Sequence, residues 1–185
     1  MEFKKPKLNE QQIIQGCIRG ESWAQKRIYE QYASIMMGVC VRYVADRETA
    51  KDILQDGFIK VFSKVNSYSE LGSFEGWMRK VFVTTSLEYL RKKDVLKQSQ
   101  DIDFYNEIIE NEDVSVLSKI TADDLLVCIS ELADGYRTVF NLFVMEGYTH
   151  AEIGNLLGIS ENTSRSQFMR ARVLLQKKVQ SLFNY

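Results

Sequence analysis

The sequence has few of the residues that interrupt helices or carry enzyme chemistry. It contains one proline, Pro6, and 10 glycines among 185 residues. Because long runs of β-branched residues are also missing, the composition favours helix over most of the chain. A single histidine, His150, and the lack of a phosphate-binding glycine loop leave no evident catalytic apparatus. We therefore predict an all-α protein that is not an enzyme.

Cysteine and long apolar runs are scarce as well. The three cysteines, Cys17, Cys40 and Cys128, are widely separated and have apolar neighbours, which favours buried thiols over disulfides or zinc ligands. No run approaches the roughly 20 apolar residues of a membrane span, and residues 1–9 lack the apolar core of a signal peptide. The sequence thus predicts a cytoplasmic protein without a metal or cofactor.

Charge is divided unevenly along the chain, although the formal net charge is only −1. Residues 1–93 carry 16 basic and 11 acidic side chains, residues 94–124 carry 2 and 9, and residues 125–185 carry 6 and 5. Apolar residues recur at helical spacing in the first and third segments but show no sustained period in the second. The pattern predicts two small helical domains, at 1–95 and 121–185, joined by an acidic linker at 96–120.

The most specific local pattern lies near the C-terminus. Thr149 and Glu152 have the spacing of a capping box, Gly158 has the position of a left-handed helix end, and Ser160 can cap a second helix running from 161 to about 183. A bend this short predicts a helix-turn-helix, whose second helix enters the DNA major groove. The other interpretation is a solvated helical hairpin without a DNA function. The outward positions of the second helix supply Asn162, Thr163, Arg165, Ser166, Gln167, Arg170 and Arg172.

Residues 148–172 resemble region 4 of the extracytoplasmic-function (ECF) sigma factors. In that family the patterns Tyr/Ser-x-x-Glu-Ile-Ala, Leu-Gly-Ile-Ser and Ser-x-x-x-Arg-Ala-Arg recur. The resemblance implies that the second helix reads the −35 promoter element. This chain departs from the commonest pattern at Ser164, where valine is frequent, and at Gln167, where arginine is frequent. The bases that it reads therefore stay open.

Residues 50–62 resemble region 2.2 of the same family, with its Ala-x-Asp-x-x-Gln-Asp/Glu-x-Phe-x-x-Val-Phe/Trp pattern. The resemblance implies binding to the clamp helices of the polymerase β′ subunit through Asp52, Gln55, Asp56 and Phe58. Helical spacing places two carboxylates and an amide on one face, which suits a basic partner. A solvated face is the plainer alternative, and two carboxylates without a third ligand make a poor metal site.

Residues 74–93 resemble regions 2.3 and 2.4, which melt and read the −10 element. The loop at 66–73 corresponds to the family's specificity loop, which receives an extruded base. A protein that holds a single strand needs cations for the backbone and aromatic faces or pockets for the bases. Two family positions differ, since Thr84 replaces a frequent asparagine and Glu88 a frequent aspartate. The predicted −10 contacts are Asn66, Tyr68, Arg79, Lys80, Thr84, Arg91 and Lys92.

The two resemblances occur in the expected order and leave no room for region 3, which indicates a minimal two-domain sigma factor. They imply a protein that binds core RNA polymerase, through the β′ clamp helices and the β flap, and directs initiation at a dedicated set of promoters. They also imply promoter DNA and an anti-sigma factor, often membrane-anchored, as partners, with no small-molecule substrate. The alternative function is a stand-alone helix-turn-helix regulator with a helical sensing domain.

Overall fold

The computed structural model of the protein describes residues 9–93 and 121–183. Within these residues every regular element is helical, which confirms the predicted all-α class. Packing divides them into two compact units. One contains the described residues up to Cys40 together with Glu48–Thr85, and the other contains Val41–Arg47 and the described residues from Ser86 onward. The predicted acidic linker at 96–120 lies outside the described residues.

The N-terminal half folds into four helices. The first is opened by a capping box in which Asn9 Oδ1 accepts from Gln12 N at 2.8 Å. Gly20 has a φ of +75° and permits the turn into the next helix. The elements are α1 (Glu10–Ile18), α2 (Ser22–Val44), α3 (Arg47–Lys64), a 3₁₀ turn (Val65–Ser67) and α4 (Phe74–Lys92).

The core of the first unit is built around aromatic rings on α3 and α4. The Phe58 ring lies 5.1 Å from the Phe82 ring and 4.8 Å from the ring of Tyr29 on α2. The two helices approach closely at Gly57, where an added Cβ would lie 2.1 Å from an atom of the Phe82 ring. Buried aliphatic and aromatic side chains fill the rest, among them Ile28, Met36, Val39, Ile53, Val61, Phe74 and Met78.

The C-terminal half folds around its last helix, against which the three preceding helices pack. The helix that begins at Asp134 continues into a π-helical turn before Gly147, whose φ is +75°. The elements are α5 (Ala122–Ser130), α6 (Asp134–Phe140), the π turn (Asn141–Met145), α7 (His150–Leu157) and α8 (Glu161–Phe183). Their shared core contains Cys128, Ile129, Leu132, Tyr136, Ala171, Leu175 and Val179.

Two predictions about scarce residues can be compared directly with the structure. Cys17, Cys40 and Cys128 are all buried free thiols, which confirms the prediction. Burial also raises the pKa of Cys17 to about 11, so this thiol stays protonated and unreactive. Within residues 9–93 and 121–183, no helix combines the length and the apolar character that crossing a bilayer requires.

Candidate nucleic-acid and protein interfaces

The start and end of α7 follow the predicted cap chemistry. The Thr149 hydroxyl accepts from Glu152 N at 3.3 Å, and the Glu152 carboxylate accepts from Thr149 N at 2.8 Å. These hydrogen bonds hold the pKa of Glu152 below its ordinary value. Gly158 ends the helix with φ +69° and ψ 35°, a conformation that favours glycine. The predicted capping box and left-handed helix end are both confirmed.

The turn between α7 and α8 is tight. Ile159 N donates to Gly154 O at 3.0 Å, and an added Cβ on Gly154 would lie 2.8 Å from Ile159 O. A side chain at position 154 would therefore require the backbone of the turn to shift. Ser160 caps α8 as predicted, since its Oγ accepts from Thr163 N at 3.0 Å. Together these contacts form the helix-turn-helix.

The outer face of α8 presents most of the predicted DNA contacts. Arg165 is exposed, and its guanidinium donates to Glu161 one turn earlier, with Nε 3.2 Å and Nη2 2.5 Å from Oε1. A surface ion pair of this kind contributes about 0–1 kcal/mol, so Arg165 can exchange Glu161 for DNA at little cost. The exposed members are Asn162, Arg165, Ser166 and Arg172, and the half-buried ones are Thr163 and Arg170.

Gln167 does not belong to this outer face. Its side chain is 3% exposed, because it shares the inward stripe of α8 with Ala171, Leu175 and Val179 at four-residue steps. The prediction that Gln167 faces DNA is therefore wrong. Its amide polarity suggested the surface, whereas its position on the helix places it in the interior.

The exposed face of α3 carries three of the four predicted polymerase contacts. Asp52, Gln55 and Asp56 are all exposed and lie within one helical turn of each other. Ile59, which sequence reasoning missed, is 64% exposed and continues the same face three residues after Asp56. Its spacing of three and four residues from Asp56 and Gln55 was the signal that could have placed it on this face. The face thus combines two carboxylates, an amide and an apolar contact.

Phe58, the fourth predicted contact, points the other way. It is 4% exposed, and its ring packs among those of Tyr29, Phe62 and Phe82 at 4.8–5.8 Å. A side chain enclosed in this way cannot contact a partner directly. The prediction of direct contact is wrong, and Phe58 supports the α3 face from beneath.

Cationic and polar groups follow one face of α4. Lys80, Thr84 and Arg91 are exposed and lie four and seven residues apart, which places them along one side of the helix. Thr84 Oγ1 donates to Lys80 O at 2.8 Å, so its hydroxyl is left to accept. Arg79 is half-buried and pairs with Glu75 at 3.7 Å, and Lys92 is exposed at the helix end. This is an arrangement suited to a polynucleotide backbone.

The loop before α4 is ordered by aromatic packing. The Tyr68 ring lies 5.2 Å from Phe74 and 5.8 Å from Trp77, and its hydroxyl donates to Gly72 O at 2.5 Å. Tyr68 therefore closes the loop, and only part of its ring is available for stacking on a base. Leu71, at the loop tip, is 94% exposed and was not foreseen as a contact. Asn66 is exposed at the start of the loop.

Side chains that could hold a metal ion do not converge in the part of the chain that the structure describes. No group of three or more histidine, cysteine, aspartate or glutamate side chains comes together there. The exposed surfaces carry carboxylates on α3 and cations on α4 and α8. Such surfaces recognise macromolecules through charge and hydrogen bonds.

Comparison with known proteins identifies both halves of the chain. The family model for Sigma-70 region 2 matches residues 28–95, and that for Sigma-70, region 4 matches residues 122–175. The chain is 25% identical over 183 residues to the RNA polymerase sigma-H factor of Pseudomonas aeruginosa, covering 94% of this chain and 95% of the relative. It is also 25% identical over 181 residues to the ECF RNA polymerase sigma factor SigW of Bacillus subtilis, covering 89% and 93%.

A solved structure shares the fold. The sigma factor RpoE from Bartonella quintana, crystallised in complex with the anti-sigma factor NepR, superposes with a TM-score of 0.51 at 17% sequence identity. The match covers 84% of this chain and 96% of that chain. With both sigma regions present in order and relatives matched over nearly their full length, the chain belongs to the sigma-70 family, in its extracytoplasmic-function group of RNA polymerase sigma factors.

Proposed function

We propose that this protein binds core RNA polymerase and directs it to a dedicated set of promoters. The observation that carries the proposal is the presence of both sigma regions in one chain, each with its own exposed polar surface. In this proposal the chain consists of a region 2 domain at 1–95, a linker at 96–120 and a region 4 domain at 121–185. The chain acts by binding, and it needs neither a small-molecule substrate nor a catalytic group of its own.

The α3 face is the proposed contact with the β′ clamp helices. Asp52 and Asp56 are exposed carboxylates, which favour a partner rich in arginine or lysine because charge-assisted hydrogen bonds are the strong ones. Ile59 adds apolar area at the end of the same face. A few desolvated residues dominate most interfaces, so we expect this small set to account for much of the affinity.

The two DNA surfaces have separate roles in the proposal. The first turns of α8 point Asn162, Thr163, Arg165 and Ser166 toward base edges of the −35 element, because the N-terminal part of a recognition helix enters the groove. Later residues of that helix contact phosphates, which position the protein without reading sequence. The α4 face and the loop hold the −10 strand through Asn66, Tyr68, Arg79, Lys80, Thr84, Arg91 and Lys92.

Two further partners follow from the family. The β flap of the polymerase is the proposed contact of the region 4 domain. An anti-sigma factor, membrane-anchored as is frequent in this group, is the proposed regulator, by analogy with the complex of the Bartonella protein. The proposed location is the cytoplasm, because the polymerase and the chromosome are there. The family's role is recruitment, and we propose no catalytic activity.

A stand-alone helix-turn-helix regulator is not favoured, because residues 28–95 match sigma region 2 rather than a sensing domain.

The polymerase contact on α3 is tested by the affinity of labelled protein for purified core polymerase, measured for Asp56→Lys beside Glu30→Lys. Both changes reverse one exposed carboxylate, but Glu30 lies on α2 and pairs with Lys26 and Arg27. We expect a loss of affinity with Asp56→Lys alone, while circular dichroism shows both variants folded. Equal binding by both would contradict the assignment of the α3 face.

A further inference from the structure

A polar pair is buried inside the helix-turn-helix. His150 is the first residue of α7 and is 9% exposed, and Ser164 lies near the start of α8 and is 0% exposed. Nδ1 of His150 lies 2.9 Å from Oγ of Ser164. Since the family pattern frequently has valine at the position of Ser164, a directional hydrogen bond here takes the place of an apolar contact.

Aromatic rings hold the imidazole in place. His150 stacks on Phe143 with ring centroids 4.4 Å apart and planes 10° from parallel, and Phe168 lies 5.7 Å away on α8. Burial lowers the pKa of His150, Arg165 lowers it further, and Glu161 opposes them. A ring confined in this way, and neutral at pH 7, can form a hydrogen bond of fixed direction.

Ser164 stands between two of the proposed reading residues. Thr163 precedes it and is half-buried, and Arg165 follows it and is exposed. A small rotation or slide of α8 at Ser164 therefore moves both neighbours with it. The turn at Gly154 and Ile159 fixes where α8 begins, and apolar side chains such as Ile153 pack beneath the two helices. The pair of His150 and Ser164 adds a contact of fixed direction between α7 and α8.

We propose that His150 and Ser164 form a positioning pair that sets the orientation of α8 on α7 and thereby determines how well Arg165 discriminates the −35 bases. This inference rests on the proposed reading of the −35 element by α8. Neither residue touches DNA in the proposal, because both are buried. Their contribution is to promoter choice rather than to total affinity.

The test uses Ser164→Ala, which removes one oxygen atom, in holoenzyme reconstituted from the full chain. Initiation is measured on the cognate promoter and on −35 point variants, and the result is expressed as a ratio. A loss of folded protein lowers all promoters alike and cancels from this ratio. We expect the ratio to fall by about fivefold, the low end of what one base contact is worth. Ser164→Cys, with a weaker hydrogen-bonding group, should be intermediate.

Two controls separate the possible failures. Ser181→Ala makes the same change on the same helix, where the serine is exposed and donates to Lys178 O at 2.7 Å, and it should leave the ratio unchanged. Arg165→Ala tests the underlying function. If Arg165→Ala abolishes the preference while Ser164→Ala keeps it, the positioning role is overturned and the proposed function stands. If Arg165→Ala also keeps the preference, the assignment of α8 to the −35 element fails first.

A pH measurement tests the state of the ring independently. His150 is the chain's only histidine, and its pKa is lowered in the fold. Its contribution to stability is therefore complete above its ordinary pKa of 6.5 and decreases as the pH falls below that value. The melting temperature of the wild type should therefore fall as the pH is lowered from about 7 to 5.5. His150→Phe preserves the stacking and should lose this pH dependence. An equal pH dependence in both proteins would contradict the inference that His150 is neutral and buried beside Ser164.

Discussion

Replacing Gly57 with alanine tests how closely α3 and α4 pack, and with it the support of the polymerase-binding face. An alanine Cβ at this position would lie 2.1, 2.5 and 2.8 Å from three atoms of the Phe82 ring. Phe82 is 0% exposed, so its ring cannot swing into solvent. The helices must separate or the ring must leave its rotamer, and either change disturbs the core beneath Asp52 and Asp56.

The magnitude follows from two opposing effects. Alanine in a helix interior is favoured over glycine by about 1 kcal/mol, and an extra methyl in a filled core costs about 1–3 kcal/mol. Gly38→Ala, in the middle of α2, gains the first effect without the second, because nothing lies within 4 Å of its added Cβ. The two variants should therefore differ in the free energy of unfolding by about 1–3 kcal/mol, with Gly57→Ala the less stable.

Urea unfolding followed by circular dichroism measures this difference, and the double variant Gly57→Ala/Phe82→Leu shows whether the ring is the cause. Leucine in place of Phe82 should recover part of the loss, because contacting residues are coupled in a double-mutant cycle. If Gly57→Ala is as stable as Gly38→Ala, the close contact between α3 and α4 does not exist. If the loss persists unchanged with Phe82→Leu, the contact is present but another group causes the strain.

Three other changes test separate surfaces. Ile59→Lys should weaken binding to core polymerase in a fluorescence anisotropy titration. Because Ile59 is 64% exposed, the change should alter the free energy of unfolding by no more than about 0.5 kcal/mol. An affinity equal to that of the wild type would contradict its place in the interface. Arg165→Ala should remove about 1–3 kcal/mol of −35 base discrimination, whereas Arg172→Ala should weaken binding to all promoters alike and lower the salt slope by about one. The opposite pattern across −35 variants and salt concentrations would reverse these roles. Hydrogen bonds from the backbone N–H and the hydroxyl of Thr149 hold the pKa of Glu152 below its ordinary 4.5, so their contribution to stability is complete above that pH and is lost as the pH falls through the lowered value. Glu152→Gln has no carboxylate to titrate and should therefore lose less stability between pH 6 and pH 3 in acid-unfolding curves; an acid dependence equal to that of the wild type would argue against the bonds to the Glu152 carboxylate.

Elements with strong local signals could be predicted from the sequence. The α7 boundaries follow from Thr149, Glu152 and Gly158, because caps and left-handed glycines are properties of a few neighbouring residues. The cap at Ser160 was predictable for the same reason. The face carrying Asp52 and Asp56 was equally local, since helical spacing alone places the two carboxylates together.

The two wrong assignments have different origins, because Gln167 was placed on the outer face of α8 by its polarity, whereas Phe58 was carried over with the region 2.2 pattern. Gln167 is polar, but its four-residue spacing from Ala171 already indicates the inward stripe. Phe58 has the same relation to Leu54, which is buried beside it. The contact of Gly57 with Phe82 and the bond of His150 to Ser164 join different helices, so no local pattern could reveal them.

Run-off transcription distinguishes a sigma factor from a stand-alone regulator. Purified core polymerase is supplied with genomic fragments, including the region upstream of the protein's own gene, with and without the full chain. The account predicts defined transcripts only when both proteins are present, and their loss when either the −35 or the −10 element is altered. Absence of such transcripts, together with tight sequence-specific DNA binding by the free protein at the same salt concentration, would contradict it and identify a stand-alone regulator instead.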